Sequence, residues 1–286
     1  KAWEQIHTLI ANNKSSTDRK NIIVTGANSG IGYQCALQLG KSGARVHMLC
    51  RNVGRGEVAL KKISEETGND NIILHQVDMS NKESIKQFAD SCFKDGKNDR
   101  LDALINNAGV VMQERQTNED GVEIWFATAM GGTFLLSSLC LNSLKKAQGR
   151  VVNISSGGMY LAKFYPKFIR EDIYKGKYDG LLAYVQSKRC QVLLNKRWAT
   201  KLKEQGIVFH SYHPGWSATP GVKTSQMSWF YEKKEDELRN ELEGADTAIW
   251  LTLSNDDTIT RSQNNGSFWF DRSIVKEHFP FAWTRN

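Results

Sequence analysis

Cysteine is scarce in this sequence, and no two cysteines stand at the spacing that a metal site requires. The 286 residues include five cysteines, an odd number that does not make up a disulfide framework. They are Cys35, Cys50, Cys92, Cys140 and Cys190. We therefore expect reduced thiols that pack as small core residues in a reducing compartment, and no bound metal.

A dense run of basic residues is also lacking, although Lys and Arg outnumber Asp and Glu by 38 to 31. The formal charge of +7 is dispersed along the chain, without the interleaved aromatic residues that are typical of nucleic-acid-binding surfaces. We therefore expect no nucleic-acid partner. Apolar residues make up 40% and charged residues 24%, which indicates a soluble globular chain with a substantial core.

No signal peptide is recognisable, and one segment is both long and uncharged. Residues 124–144 carry no charged side chain over 21 positions, which is long enough to cross a membrane. The segment contains two glycines, three serines and an asparagine, and it lies mid-chain between strand-like segments. We interpret it as a buried helix packed against a sheet. The expected location is the cytoplasm or the periphery of an intracellular membrane.

Residues 1–20 differ from the rest of the sequence and are interpreted as an N-terminal extension. Trp3, Ile6, Leu9 and Ile10 have helical spacing, and a polar stretch follows them. The favoured interpretation is a short helix packed on the domain. A membrane-surface helix is the alternative, so peripheral membrane association stays open, as does a homodimer.

Short apolar runs alternate with longer helical patterns from residue 21 onward. The predicted strands are 21–25, 45–49, 72–77, 101–105, 150–154, 207–212 and 267–270. The predicted helices are 30–42, 53–67, 82–95, 119–146, 181–204 and 238–253. This alternation predicts an α/β fold, in which a doubly wound parallel sheet of about seven strands has helices on both faces. Residues 21–286 then form a single Rossmann-type domain, with its ligand at the carboxyl ends of the strands.

The first predicted strand leads directly into a glycine-rich turn. Glycine lets the backbone turn sharply and approach a pyrophosphate, while the following helix offers its free N–H groups and positive dipole end. Because the turn follows a strand and opens a helix, it has the context of a dinucleotide site. The expected cofactor contacts in this turn are Gly26, Asn28, Ser29, Gly30, Ile31 and Gly32.

No acidic residue directly follows the second predicted strand, where NAD-binding proteins hold the ribose 2′-hydroxyl. The first carboxylate comes only at Glu57, and Arg51 and Asn52 stand at the strand end instead, with Arg55 a turn later. A guanidinium at Arg51 can pair with a 2′-phosphate. The pattern favours NADP (NADPH) as the cofactor, with Arg51 and Asn52 as contacts. The alternative is that both arginines are ordinary surface charges.

The ends of the later strands supply the remaining candidates for cofactor and substrate contacts. Asp78 can accept a hydrogen bond from the adenine amino group, and the small residues after the fourth strand let the backbone pass close to the cofactor. The candidates are Asp78, Met79, Asn106, Ala108, Gly109, Ser156, Pro214, Gly215, Trp216 and Thr219.

Tyr184 and Lys188 are the candidates for acid–base chemistry. The spacing is weak evidence alone, but residues four apart share one face of a helix. An ammonium beside a phenol favours the phenolate, so we expect Lys188 to lower the pKa of Tyr184 toward neutrality. Such a tyrosine can give a proton to a carbonyl or take one from an alcohol while a hydride moves.

These motifs, in this order, resemble the short-chain dehydrogenase/reductase family over roughly residues 21–275. The long interval between Ser156 and Tyr184 and the Cys50-Arg51 strand end are similar to the retinol-dehydrogenase-like branch. Segments 155–159, 213–216, 219–222 and 244–247 resemble one subgroup of that branch.

The resemblance implies a role for each matching position. Tyr184 would be the general acid/base, Lys188 would hold the nicotinamide ribose and tune Tyr184, and Ser156 would bind the substrate oxygen. Asn106 would contact the adenine ribose, and Thr219 would contact the nicotinamide carboxamide or the diphosphate. The implied function is NADP-dependent hydride transfer between nicotinamide and a carbonyl or alcohol.

One position departs from the family pattern. An asparagine in the helix after the fourth strand usually supports a water relay to the lysine, and Ala129 stands in its place. No asparagine lies between Asn118 and Asn142, so a shift of the alignment does not restore one. The alternative function is therefore a weakly active or inactive NADP-binding sensor or scaffold.

Two aromatic-rich segments, 157–180 and 215–237, leave the carboxyl ends of the fifth and sixth strands. We interpret them as the walls and lid of an apolar pocket for a small lipophilic carbonyl or alcohol. The alternative is two loops that aromatic side chains merely anchor.

Overall fold

The fold was taken from a computed structural model of the chain. The residues that it describes are 2–15, 18–93, 100–161, 163–166, 177–219, 235–260 and 262–278.

Eight strands within these residues form one sheet in the order β3-β2-β1-β4-β5-β6-β7-β8. Their bounds are β1 Asn21–Thr25, β2 Arg45–Cys50, β3 Ile72–Gln76, β4 Ala103–Asn106, β5 Arg150–Ile154, β6 Val208–Tyr212, β7 Phe268–Phe270 and β8 Ser273–Ile274. All pairings are parallel except β7 with β8, which is antiparallel. The doubly wound sheet is thus confirmed, with a short antiparallel strand added at one edge. The strand order changes direction at β1 and β4, which is where such folds place a ligand.

Helices cover both faces of the sheet. Their bounds are α1 Ala2–Lys14, α2 Gly30–Lys41, α3 Val53–Thr67, α4 Lys82–Phe93, α5 Ile124–Phe126, α6 Thr133–Leu139, α7 Leu141–Ala147, α8 Gly180–Lys201, α9 Glu241–Leu253 and α10 Asp257–Thr260. Because side chains alternate along a strand, Ile22 packs with Leu39 of α2 and Ile249 of α9, whereas Ile23 packs with the cluster on the other face.

The prediction of one continuous helix over 119–146 is wrong. Helix α5 begins at Ile124, a π-helical turn spans Ala127–Gly132, and the axis bends by 59° between Leu139 and Leu141. Gly132 ends this turn in close contact with the backbone of Met79, where a Cβ would collide with the Met79 carbonyl. Among the described residues, no single helix is long and apolar enough to span a membrane, and this bent pair is the one combination that meets the length and composition test.

The N-terminal helix α1 packs onto the domain. Ile6 is fully buried and Ile10 is 8% exposed, and both belong to the core cluster formed by α2 and α9. This arrangement agrees with the interpretation of a short packed helix rather than a free surface helix.

Candidate active site

The glycine-rich turn after β1 is held in a shape that only glycine adopts easily. Gly26 and Gly30 have φ of +65° and +60°, the left-handed region. A Cβ on Gly32 would collide with the carbonyl of Gly26. Asn107 holds the turn from β4, because its Nδ2 donates to the carbonyls of Thr25 and Gly26 at 2.8 and 3.2 Å. The backbone is therefore tightly folded and open to close approach, as a pyrophosphate requires.

Helix α2 begins directly after this turn with unused hydrogen-bonding capacity. Its N-cap, Ser29, is extended and exposed, and its hydroxyl makes no capping hydrogen bond. Asn28 is half-buried beside it, while Ile31 is buried in the core. The free N–H groups of the first turn and the Ser29 hydroxyl are suited to phosphate oxygens. The turn thus fits a dinucleotide.

Arg51 lies beside the glycine turn. The N–H of Gly26 donates to the carbonyl of Leu49 at 2.8 Å, which brings the end of β2 against the turn. Arg51 directly follows Cys50, the last residue of β2, and is exposed. The side chain of Asn52 caps α3 by accepting from the Arg55 N–H at 2.9 Å, and its contact with the cofactor stays a prediction.

Asp78 and Met79 follow β3 at the same end of the sheet, where the carboxyl ends of the strands lie. The N–H of Val77 donates to the carbonyl of Cys50, so Asp78 stands next to the end of β2. One carboxylate oxygen of Asp78 already accepts from the N–H and the hydroxyl of Ser80, at 2.8 and 2.7 Å. Within the described residues no side chain donates to the other oxygen, which is the one left for the predicted contact with adenine. Met79 is buried against Gly132.

Some residues after β4 point into the interior, and others line the crevice, by which we mean the cleft at the carboxyl ends of the parallel strands. Asn106 is 1% exposed, and its amide donates to Asn153 at 2.9 Å and to Ser137 at 3.3 Å. Its side chain is therefore turned into the core, and contact with an adenine ribose would come from its main chain. Ala108 donates its N–H to the Thr25 hydroxyl at 2.9 Å. A Cβ on exposed Gly109 would lie 3.4 Å from Nζ of Lys188.

Ser156 and Tyr184 meet despite the 28 positions between them in the sequence. Ser156 follows β5, and Tyr184 lies in the second turn of α8. Their side chains are hydrogen-bonded to each other, and the Ser156 Oγ also accepts from the N–H of Gly158 at 3.1 Å. Strand β5 and helix α8 thus bring a hydroxyl pair to the crevice.

The electrostatics of the pair differ from the prediction. Burial raises the pKa of Tyr184, and the hydrogen bond from Ser156 lowers it by a smaller amount. Burial lowers the pKa of Lys188 to about 8. The Lys188 Nζ lies 5.7 Å from the centroid of the Tyr184 ring. We expected Lys188 to bring the pKa of Tyr184 toward neutrality. The pKa is raised instead, because burial of the phenol has the largest effect on it.

The segment after β6 leaves the sheet at its carboxyl end, as Ser156 does after β5. Gly215 has φ of +76°, and its N–H donates to Nδ1 of His213 at 3.2 Å. Pro214 accepts from the Ser217 hydroxyl at 3.2 Å, and Trp216 is 52% exposed. Thr219 is half-buried and donates its N–H to the carbonyl of Ser217.

The two aromatic segments are only partly described. Leu161 and Tyr165 are 70% and 50% exposed after β5. Phe168, Tyr174, Met227, Trp229, Phe230 and Tyr231 lie outside the described residues. Their place in a pocket remains a prediction.

Sequence reasoning missed the support that holds the site together. The hydroxyl of Thr25 accepts from the N–H groups of Asn107 and Ala108, at 3.0 and 2.9 Å, which ties the first strand to the fourth. Gln191 contacts Lys188, but it belongs to no motif that the sequence reveals. Asn107 belongs to the motif predicted after the fourth strand, but the partner of its side chain lies 82 positions away and leaves no local signal.

A separate cluster contains His47, His75 and Cys92, and their possible ligand atoms lie within 4.8 Å of one another. Nδ1 of His47 is 2.9 Å from Nε2 of His75, and Sγ of Cys92 is 3.9 Å from the opposite nitrogen, Nδ1, of His75. These close contacts form a chain of polar groups that passes through both ring nitrogens of His75. Nε2 of His47 continues this chain to Oδ1 of Asn21, at the amino end of β1 and away from the crevice.

Comparison with known proteins agrees with this geometry. The family model described as short chain dehydrogenase matches residues 20–164. Dehydrogenase/reductase SDR family member 12 from Homo sapiens is 40% identical over 261 residues, which cover 91% of this chain and 79% of that protein. Retinol dehydrogenase 11 from Mus musculus is 35% identical over 237 residues, which cover 82% and 73%.

Solved structures share the fold at lower identity. The 3-ketoacyl-(acyl-carrier-protein) reductase from Brucella melitensis, a complex with NADH, has a TM-score of 0.67 at 21% identity, covering 88% of this chain and 96% of that one. The sequence relatives also agree with the predicted resemblance to the retinol-dehydrogenase-like branch. On this evidence the chain belongs to the short-chain dehydrogenase family of pyridine-nucleotide oxidoreductases.

Proposed function

We propose that the chain is an NADP-dependent oxidoreductase that transfers a hydride between nicotinamide and a lipophilic carbonyl or alcohol. The observation that carries this proposal is the hydrogen-bonded pair of Ser156 and Tyr184, with the buried Lys188 ammonium beside the phenol ring. A bound nicotinamide dinucleotide supplies or accepts the hydride. The chain's own residues then have to bind the substrate oxygen and move one proton.

Tyr184 is the group that moves this proton. Its raised pKa keeps the phenol protonated at neutral pH, so it is ready to donate to the developing alkoxide during reduction. Ser156 donates a hydrogen bond to the same oxygen and fixes it in line with the phenol. In the oxidative direction the positive charge of Lys188 favours the phenolate that must accept the proton.

The preference for NADP rests on Arg51. Its exposed guanidinium follows β2 beside the glycine turn, and the first acidic residue after the strand is Glu57. A charge-assisted pair with a 2′-phosphate contributes about 1–3 kcal/mol, or roughly ten- to hundredfold in affinity.

Cofactor choice is tested by measuring the dissociation constants of NADPH and NADH for the native chain and for Arg51→Ala. We expect the native chain to prefer NADPH and the variant to lose most of this preference, with NADH affinity unchanged. Arg55→Ala is the matched control, one turn into α3. Equal affinities in the native chain would refute the NADP assignment.

The lipophilic substrate rests on exposed apolar side chains at the carboxyl ends of β5 and β6. Leu161, Tyr165 and Trp216 are 70%, 50% and 52% exposed, although large apolar side chains are usually buried. They follow Ser156 and Pro214 in the chain, after the carboxyl ends of β5 and β6. An apolar substrate would cover them and keep water from the reacting oxygen.

A panel of straight-chain aldehydes of increasing length, with retinaldehyde and a small hydroxy-aldehyde, tests this substrate class. We expect kcat/KM to rise with chain length and to fall for long substrates in Trp216→Ala but not in Trp216→Phe. A sugar or short hydroxy acid as the best substrate would contradict the proposal.

A further inference from the structure

Lys188 is a buried cation with defined acceptors. It is 4% exposed, and its Nζ donates to the carbonyl of Ile154 at 2.7 Å and to Oε1 of Gln191 at 3.1 Å. A buried ammonium is costly unless its protons are accepted, so these two oxygens decide how well the site keeps Lys188 charged. The carbonyl belongs to the main chain of β5, which leaves Gln191 as the adjustable partner.

Gln191 is held in one orientation. It is fully buried on α8, three residues after Lys188, and its Nε2 donates to the carbonyl of Ala129 at 3.1 Å. A carbonyl can only accept and an ammonium can only donate, so the amide must turn Nε2 to Ala129 and Oε1 to Lys188. The bridge therefore has a fixed polarity and always presents an acceptor to the ammonium.

The anchor of this bridge is an unusual piece of backbone. Ala129 lies in the π-helical turn Ala127–Gly132, where the chain departs from α-helical geometry. Such turns interrupt the regular hydrogen-bond ladder and are frequent at functional sites. The methyl group of Ala129 has no polar atom, so the link from this turn to Lys188 passes through its carbonyl and Gln191.

We infer that Gln191 is a positioning residue that orients and stabilises the Lys188 ammonium from the carbonyl of Ala129, at the place where a side-chain asparagine is missing. This inference rests on the proposed function, because it assigns Gln191 a part in that same site. An amide of fixed polarity does not carry protons, so Gln191 acts through Lys188 and does not itself exchange a proton with substrate.

The pH dependence of reduction reports on this contact. Of the described residues that face Nζ of Lys188 from α8, β5, the π-helical turn and Gly109, Tyr184 is the titratable one, and its pKa is raised. Desolvation is the cause that lowers the pKa of Lys188. If activity needs the ammonium, kcat for reduction falls as the pH rises through about 8.

Two substitutions of Gln191 should move this fall in kcat, the alkaline limb of the pH profile, in opposite directions. Gln191→Leu removes the acceptor, disfavours the ammonium and shifts the limb to lower pH by about one unit. Gln191→Glu places a carboxylate next to the ammonium and shifts the limb to higher pH. A merely structural role would reduce activity in both variants without moving the limb in opposite directions.

Gln186 provides the matched control. It is equally buried on the same helix, but its amide contacts Lys163 and Tyr165 rather than Lys188. We expect the limb of Gln186→Leu to stay at the native pH, whatever happens to KM.

A second readout separates this inference from the proposed function. NADPH affinity, followed by tryptophan fluorescence between pH 7 and 10, should show the same opposite shifts, because Lys188 is expected to grip the ribose. If these shifts appear but no carbonyl is turned over, the inference stands and the proposed catalysis fails. If turnover occurs and both variants keep the native limb in both assays, the positioning role of Gln191 is overturned.

Discussion

Asn52 illustrates how a residue in a binding motif can serve the scaffold. Its side chain caps α3 through the Arg55 N–H, so its loss should affect folding more than cofactor binding. We expect Asn52→Ala to lower the free energy of unfolding by about 1 kcal/mol. Asn52→Ser, which restores a capping oxygen, should recover most of it. Urea unfolding and NADPH titration measure both effects, and a large loss of NADPH affinity in the serine variant would return Asn52 to the cofactor site.

Ala129 allows a test of whether the missing asparagine limits the reaction. Its carbonyl is already bonded to Gln191, and its side chain is 2% exposed in a packed helix. We therefore expect Ala129→Asn to give no gain in kcat and to cost about 1–3 kcal/mol of stability through overpacking. Steady-state kinetics with a thermal unfolding control decides this. A rise in kcat would mean that proton supply is limiting and that the bridge through Gln191 does not suffice.

The residues of the site were predictable where a local motif carries them, and not where distant side chains meet. Gly26 and Gly30 are predictable because the turn needs left-handed backbone conformations, and Gly32 because a Cβ there would collide with the carbonyl of Gly26. Gln191 was not, because its partner Ala129 stands 62 positions away and a buried amide has no pattern of its own. The pKa of Tyr184 was predicted in the wrong direction, because sequence spacing reports the neighbouring charge but not the burial.

Helices and strands were predictable where the apolar periodicity continues. The prediction failed where the helix changes its geometry without a change in hydropathy. The strands reproduce within one or two residues because buried parallel strands appear as unbroken apolar runs. The helix predicted over 119–146 is interrupted by a π-helical turn and by a 59° bend after Leu139, and hydropathy records neither of them.

The contribution of helix α1 to the stability of the domain can be tested by substitution. Ile6 is fully buried in the core cluster, whereas Asn12 on the same helix is exposed. We expect Ile6→Ala to lower the free energy of unfolding by about 2–5 kcal/mol, since it leaves a cavity. Asn12→Ala should change it by less than about 0.5 kcal/mol. Equal stability of the two variants in urea would show that α1 does not pack on the domain in solution.

The whole molecule should be sensitive to mild acid. Burial lowers the pKa of His47 and His210 to about 3. Nδ1 of His210 accepts from Nε1 of Trp269 at 3.0 Å while its Nε2 meets the carbonyl of Ile259, so a second ring proton would face a donor. The unfolded chain binds these protons below pH ~6.5. Stability is therefore present above that pH and is lost as the pH falls toward the folded values.

Each of these histidines should contribute about 1.4 kcal/mol of lost stability per pH unit below 6.5. Urea unfolding at pH 7.5, 6.0 and 5.0 measures the slope. In His210→Gln, whose amide can serve both partners without titrating, the slope should be smaller by about that amount. A native chain equally stable at pH 5.0 and 7.5 would show that these histidines are not held neutral.

The catalytic account depends most directly on the phenol of Tyr184. The measurement that tests it is the turnover of Tyr184→Phe with NADPH and the best aldehyde of the panel, beside NADPH affinity by fluorescence titration. Removing the hydroxyl deletes the proton donor and the partner of Ser156 but keeps the ring, so kcat should fall by about 10²–10⁴-fold while NADPH affinity changes little. Unchanged turnover in this variant would contradict the mechanism.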